Sequence, residues 1–122
     1  MAILLFDSDP VFPQVLAPYL RERRFEVLEA TTYPKAAEIL ATASCQVVLA
    51  NRFMPDIDVY AFLRRHAGNV PIILYADVIF DRMNLLMANA AGVVVRDTTA
   101  ILFQLLLLDA KNKNPPAVAG GF

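Results

Sequence analysis

The stretch Gln46-Val-Val-Leu-Ala-Asn-Arg-Phe-Met-Pro-Asp-Ile-Asp-Val59 indicates the fold of this chain. Its residues Val47 to Ala50 are all apolar, which is typical of a strand buried on both faces of a parallel sheet. The run stops at Asn51, and Met54-Pro55 then interrupts the backbone before a helix can begin. Ligands of open parallel sheets bind at the carboxyl ends of the central strands, so position 51 decides the available chemistry. It carries an amide and not an acid.

Four further segments of strand length accompany this one and alternate with helical patterns. The predicted strands are Ala2–Phe6, Phe25–Leu28, Gln46–Ala50, Ile72–Tyr75 and Val93–Val95. The fourth helical pattern places Phe80, Met83, Leu86 and Met87 on one face. Strictly alternating strands and helices predict an α/β fold, a doubly wound five-stranded parallel sheet with five helices. We expect this domain to span residues 1–109, with residues 110–122 as a flexible tail or linker.

The composition of the 122-residue chain limits the classes of function. Lys and Arg number 11 against 12 Asp and Glu, so no surplus of positive charge draws the chain to nucleic acid. The apolar runs are too short to span a membrane, so we expect a cytoplasmic protein. Hydrophobic residues make up 57% of the chain, which is high for a soluble domain, so the excess is either buried in the core or part of an interface.

The residues that usually build reactive sites are sparse. Cys45 and His66 are the single cysteine and the single histidine, and neither has a partner at a spacing that forms a disulfide, a zinc site or a catalytic pair. None of the four glycines lies in the loop after the first strand, where backbone N–H groups would hold a phosphate. We therefore expect no enzymatic activity, no cofactor and no metal.

Three marks stand at the ends of the predicted strands. Asp7-Ser8-Asp9 follows the first strand, Met54-Pro55 and Asp58 follow the third, and Arg96 closes the fifth. In order and spacing these marks resemble the receiver domain of bacterial response regulators, and the resemblance covers residues 1–109. It implies a flavodoxin-like fold and a role in two-component signalling, in which receivers accept a phosphoryl group from a histidine kinase.

The positions that match the receiver's phosphorylation site have mostly changed chemical type. Asn51 matches the phosphoacceptor aspartate, and Ser8 matches the second acid of the pair that begins with Asp7. Ala76 matches a hydroxyl residue, and Arg96 matches a lysine. An amide is a poor nucleophile, and a lone carboxylate holds Mg²⁺ weakly. The resemblance therefore implies a degenerate site, a pseudo-receiver, and we expect Arg96 to pair with Asp7 across the crevice.

The last predicted helix, Ala100-Ile-Leu-Phe-Gln-Leu-Leu-Leu-Leu108, is apolar at almost every angle. The resemblance implies that the residues facing the sheet are Ala100, Phe103, Leu107 and Ala110. It implies that the exposed interface residues are Ile101, Leu102, Leu105 and Leu108. In receivers this helix, the preceding helix and the fifth strand form the usual dimerisation face, so we expect a homodimer. The alternative is a shifted helical phase, with residues 110–122 folded over the apolar stripe.

Together these features predict a phosphorylation-independent module that signals or scaffolds by contact with a protein partner, either its own copy or another two-component protein. Three alternatives remain open. The chain is a small flavodoxin-like enzyme or cofactor-binding protein; or it is a receiver phosphorylated on a substitute acid, Asp56, Asp58 or Asp77; or it is a fragment joined to an output domain.

Overall fold

The computed structural model describes residues 1–54, 58–76 and 92–113. The strands are β1 (Ala2–Phe6), β2 (Glu26–Ala30), β3 (Val47–Asn51), β4 (Ile72–Ala76) and β5 (Gly92–Val95). The helices are α1 (Val11–Arg21), α2 (Tyr33–Thr42), α3 (Val59–Ala67) and α4 (Thr98–Lys113). The five strands form one sheet in the order β2-β1-β3-β4-β5, and every neighbouring pair is parallel. The predicted flavodoxin-like α/β fold is confirmed in these elements.

Two predictions concern the edges of the described ranges. Helix α4 continues through Lys113, so the predicted tail does not begin at residue 110. Alanine and lysine both favour helix, which accounts for the continuation over Ala110 and Lys111. Residues 114–122 and the predicted helix that contains Phe80 and Met87 lie outside the described residues.

Each face of the sheet has its own apolar core, because successive strand residues point to opposite faces. Helices α1 and α4 cover one face, where Leu16 and Leu105 pack against Leu49. Helices α2 and α3 cover the other face, where Ala36 and Leu63 belong to a second cluster. With both faces covered, β1, β3 and β4 bury every side chain except those of Ala2 and Asn51, which explains their lack of polar alternation.

The two faces of helix α4 are reversed from the prediction. Two of the four predicted interface residues, Ile101 and Leu105, are fully buried in the core, and Leu102 and Leu108 are half-buried against it. The large apolar residues that the helix exposes in their place are Phe103, Leu106 and Leu107. Phe103, Leu107 and the exposed Ala110 lie in one stripe, here named the α4 patch. The prediction was wrong because a helix that is apolar nearly all round has no polar face to fix its orientation.

Helix α4 has 16 residues. No helix in the described part of the chain is long and apolar enough to cross a lipid bilayer.

The turn that follows helix α1 contains a residue with an unusual backbone conformation. Arg24 has a φ of 71°, and it is the one non-glycine residue with positive φ in the described ranges. The Phe25 N–H donates to the Leu20 carbonyl at 3.2 Å, and the Arg24 N–H donates to the Arg21 carbonyl at 3.0 Å, as in a Schellman motif. Glycine is the usual residue there, because a Cβ in the left-handed conformation costs about 1–2 kcal/mol.

Candidate functional site

Three polar side chains meet at the carboxyl end of the sheet, one from each of three neighbouring strands. Phe6 is paired with Ala50 in the β1–β3 register, so Asp7, the next residue, stands beside Asn51. Asn51 is paired in turn with Tyr75 of β4. The three residues therefore form a row across β1, β3 and β4, on the face that α1 and α4 cover, and we name it the Asp7 row.

Asp7 is the buried acceptor at the centre of this row, with no exposed surface. One carboxylate oxygen, Oδ2, accepts a hydrogen bond from the Tyr75 hydroxyl at 2.6 Å. The other, Oδ1, accepts from the Asn51 amide Nδ2 at 3.2 Å and from the Asp9 backbone N–H at 3.0 Å. A buried carboxylate is tolerated when several donors satisfy it, and here three protein donors do so.

The orientation of the Asn51 amide is set from both ends. Its oxygen Oδ1 accepts from the Phe53 backbone N–H at 3.0 Å, which closes a turn after β3. Its nitrogen Nδ2 is thereby turned toward Asp7. Because both ends of the amide are used, Asn51 presents a hydrogen-bond donor to the crevice and not an oxygen.

Tyr75 supplies the shortest of these hydrogen bonds and is fully buried. Burial raises the pKa of its hydroxyl, and the hydrogen bond to the Asp7 carboxylate raises it further. The hydroxyl is therefore neutral at physiological pH and remains a donor. The Tyr75 ring also packs edge-on against Phe12 of α1, with ring centroids 5.2 Å apart.

The predicted ion pair between Arg96 and Asp7 is wrong. The ion pairs within the described ranges lie elsewhere, at Arg21–Glu29, Arg23–Glu22 and Lys35–Glu38. The Arg96 guanidinium lies 5.6 Å from the centroid of the Phe12 ring. Both Asp7 oxygens accept hydrogen bonds from uncharged donors.

Comparison with known proteins identifies the fold by structural similarity and not by sequence similarity. No family model matches the chain, and no curated protein matches it in sequence. The receiver domain of the Francisella response regulator 1452 matches with a TM-score of 0.79 at 16% identity, over 91% of this chain and 98% of that one. The BeF3-activated N-terminal receiver domain of Klebsiella pneumoniae RstA matches with a TM-score of 0.75 at 22% identity, over 88% and 97% of the two chains. The fold is that of a receiver domain.

A third match adds a chemical contrast. The response regulator from Burkholderia pseudomallei, solved with a phosphorylated aspartic acid, a calcium ion and citrate, has a TM-score of 0.72 at 16% identity. The match covers 93% of this chain and 75% of that one. That protein carries a phosphorylated aspartic acid, whereas in this chain β3 ends at an amide, Asn51.

The receiver fold places the other predicted site residues around the Asp7 row without joining them to it. Ser8 is exposed, and its backbone N–H donates to the Met54 sulfur at 3.2 Å. Ala76 is buried at the end of β4 and offers no hydroxyl. Arg96 donates its backbone N–H to the Ala76 carbonyl at 2.7 Å. The receiver positions thus split into a joined pair, Asp7 and Asn51, and three neighbours.

A Mg²⁺ ion needs several oxygen ligands, and the side chains that the structure describes at this edge do not fit it. Both Asp7 oxygens are engaged by protein donors, and Asn51 turns its NH₂ group toward them. Asp9 Oδ1 accepts from the Val11 N–H at 3.0 Å, at the start of α1. Across residues 1–54, 58–76 and 92–113, no group of three or more His, Cys, Asp or Glu side chains could hold a metal ion.

Of the substitute acids, one has a described position. Asp58 caps α3, and its Oδ1 accepts from the Ala61 N–H at 3.0 Å. Its carboxylate therefore stabilises a helix start. Asp56 and Asp77 lie outside the described residues.

Tyr75 is the residue of the site that the sequence prediction missed. It stands in the apolar run Ile72–Ala76, where a tyrosine reads as one more large core side chain. The signal that could have found it is its register, since it stands level with Asn51. A hydroxyl buried at that level needs a partner, and Asp7 is the acceptor within reach.

Proposed function

We propose that this chain is a receiver-like signalling or scaffolding module that works without phosphorylation, by contact with a protein partner. One observation carries the proposal: Asp7, Asn51 and Tyr75 satisfy one another in a closed hydrogen-bonded row. In a receiver, the same edge of the sheet must present a nucleophilic oxygen and hold a divalent cation. The Asp7 row presents neither.

The chemistry of phosphoryl transfer explains why the Asp7 row would not accept a phosphoryl group. An attacking group needs a negatively charged oxygen in line with the leaving group. The Asn51 oxygen is uncharged and accepts from the Phe53 N–H. The Asp7 side chain is wholly buried, and the Tyr75 hydroxyl stays protonated because burial and Asp7 raise its pKa. No oxygen in the row is both charged and accessible.

With that edge closed, the proposed partner surface is the α4 patch, and the proposed partner is a second copy of the chain. Phe103 is 62% exposed and Leu107 is 51% exposed, and with Ala110 they follow the i, i+4, i+7 spacing of one helix face. Burying a large apolar side chain contributes roughly 1.5–3 kcal/mol. A two-fold dimer would bury this stripe twice, since each copy contributes the same surface.

The first test addresses phosphorylation directly. The purified protein is incubated with Mg²⁺ and acetyl phosphate, and its intact mass is measured beside a receiver that has an aspartate at the matching position. We expect the control receiver to gain a phosphate and this chain to keep its mass. A phosphate found on any aspartate of this chain would contradict the proposal.

The second test addresses the partner. Light scattering should give the mass of two chains for the wild type and of one chain for Leu107→Glu. Val11→Glu is the matched control, because Val11 is also an exposed apolar residue, 66% exposed, on α1. It should remain a dimer. A monomeric wild type, or dissociation by both substitutions, would rule out the α4 patch as the interface.

A further inference from the structure

A cavity of about 420 Å³ lies at the amino end of the sheet, the end opposite the Asp7 row. Its position follows from its lining, since Met1 precedes β1 and Phe25 precedes β2. The volume falls within the roughly 300–1,000 Å³ that small-molecule sites occupy. The apolar part of the lining is Met1, Phe25 and Leu106.

The charged part of the lining favours an anion. Two arginines, Arg23 and Arg24, line the cavity together with one acid, Asp109, and Arg23 also pairs with Glu22 at 3.9 Å. The Arg23 guanidinium is held in place, because it donates to the Tyr19 carbonyl at 2.8 Å and stacks 3.6 Å from the Tyr19 ring centroid. The Arg24 guanidinium has no hydrogen-bond or ion-pair partner in the described part of the chain. It is therefore available to a ligand.

The backbone at Arg24 also distinguishes this residue. It keeps the left-handed conformation that glycine would adopt without strain. Glycine at this position would relax the backbone but would remove the guanidinium from the cavity. Strain retained at one residue beside a cavity is typical of a position whose side chain has a function.

We propose that this cavity binds a small organic anion, a carboxylate or a phosphate monoester that carries a compact apolar group. The Arg24 guanidinium pairs with the anionic oxygens, and its planar shape allows two parallel hydrogen bonds. The apolar group lies against Phe25 and Leu106. The site is separate from the Asp7 row and does not depend on the function proposed for it.

A titration followed by ¹⁵N NMR tests this proposal with four probes. Phenylacetate and phenyl phosphate carry the anion and the apolar group together, benzyl alcohol carries the apolar group alone, and inorganic phosphate carries the anion alone. We expect saturable shifts at the Arg24 and Phe25 amides with at least one of the two combined probes. The tighter of those two identifies the anionic group. Benzyl alcohol and inorganic phosphate should each bind at least tenfold more weakly.

Variants assign the binding to Arg24. Arg24→Asn removes the charge and keeps a residue that tolerates positive φ, so it should fold as well as the wild type and bind the better probe at least tenfold more weakly. Arg65→Gln, on the exposed surface of α3, removes an equal charge elsewhere and should bind within twofold of the wild type. The proposal fails if Arg24→Asn binds normally, or if benzyl alcohol binds equally well. It also fails if inorganic phosphate binds as tightly as the combined probes, since the site would then hold an adventitious ion only.

Discussion

The two ends of the parallel sheet handle their polar groups in opposite ways. At the carboxyl end, the Asp7 carboxylate is wholly buried and three protein donors satisfy it. At the amino end, the Arg24 guanidinium lines a cavity without a partner among the described residues, on a strained backbone. The described polar groups are therefore paired at the carboxyl end, whereas the amino end keeps a guanidinium that has no described partner.

The largest expected effect on stability comes from Asn51→Asp, which breaks the hydrogen bonding of the Asp7 row. The substitution replaces the donor that stands 3.2 Å from Asp7 with a second carboxylate, so two like charges share a buried site. We expect the free energy of unfolding to fall by about 3 kcal/mol, as when one partner of a buried charged pair is lost. Urea denaturation at pH 7 in EDTA measures the loss.

Mg²⁺ and a matched variant complete this test. Added Mg²⁺ should recover part of the loss in Asn51→Asp, because two acids can share the ion, and should leave the wild type unchanged. Asn69→Asp makes the same chemical change on the exposed surface and should alter the stability by less than about 0.5 kcal/mol. If both variants unfold at the same urea concentration, the Asp7 row is not the closed network described here.

Tyr75→Phe removes one donor from the row and keeps the ring that packs on Phe12. Asp7 then loses its shortest hydrogen bond in a site that excludes water, so we expect a loss of about 2 kcal/mol in urea denaturation at pH 7. Tyr19→Phe is the control, because Tyr19 is half-buried and its hydroxyl has no hydrogen bond within the described part of the chain. A loss as small as that of the control would show that Tyr75 does not stabilise Asp7.

Raising the pH tests the contribution of Tyr75 to stability reversibly, and the expected effect is smaller than that of Tyr75→Phe. The pKa of Tyr75 is raised in the folded protein, by burial first and by Asp7 second, so the unfolded chain releases this proton at lower pH than the folded one. The stabilisation is fully present below about pH 10, the ordinary pKa of tyrosine, and falls as the pH rises above it. At pH 11 the wild type should have lost about 1.4 kcal/mol more than Tyr75→Phe. Parallel pH profiles of the two proteins would contradict the assignment.

The smallest expected effect lies at the open end and has the opposite sign. Arg24→Gly relieves the left-handed strain, and we expect a gain of about 1 kcal/mol in the free energy of unfolding. Arg23→Gly, at a residue that has negative φ, should give no gain. A destabilised Arg24→Gly would mean that the guanidinium makes stabilising contacts and is not free for a ligand.

The strands could be predicted because burial on both faces leaves a plain signal, a run such as Val47–Ala50 without polar residues. The same physics defeated the prediction for α4, where residues that are apolar all round conceal which side is buried. At the site, the sequence placed Asp7 and Asn51 together because both end central strands. It could not show that Tyr75 reaches across one strand to Asp7, because that contact depends on the register between strands and on side-chain length.

The Asp7 row also constrains how the sheet can assemble. Its donors come from residues 44 and 68 positions along the chain from Asp7, so the row exists only when β1, β3 and β4 lie side by side. A slip of β3 by a single residue would turn Asn51 to the opposite face of the sheet. The carboxylate would then be trapped among hydrocarbon side chains with fewer donors, at a cost of several kcal/mol. One buried acid thus distinguishes the native strand alignment from its nearest misfolded competitors, a discrimination that interchangeable valines and leucines cannot provide.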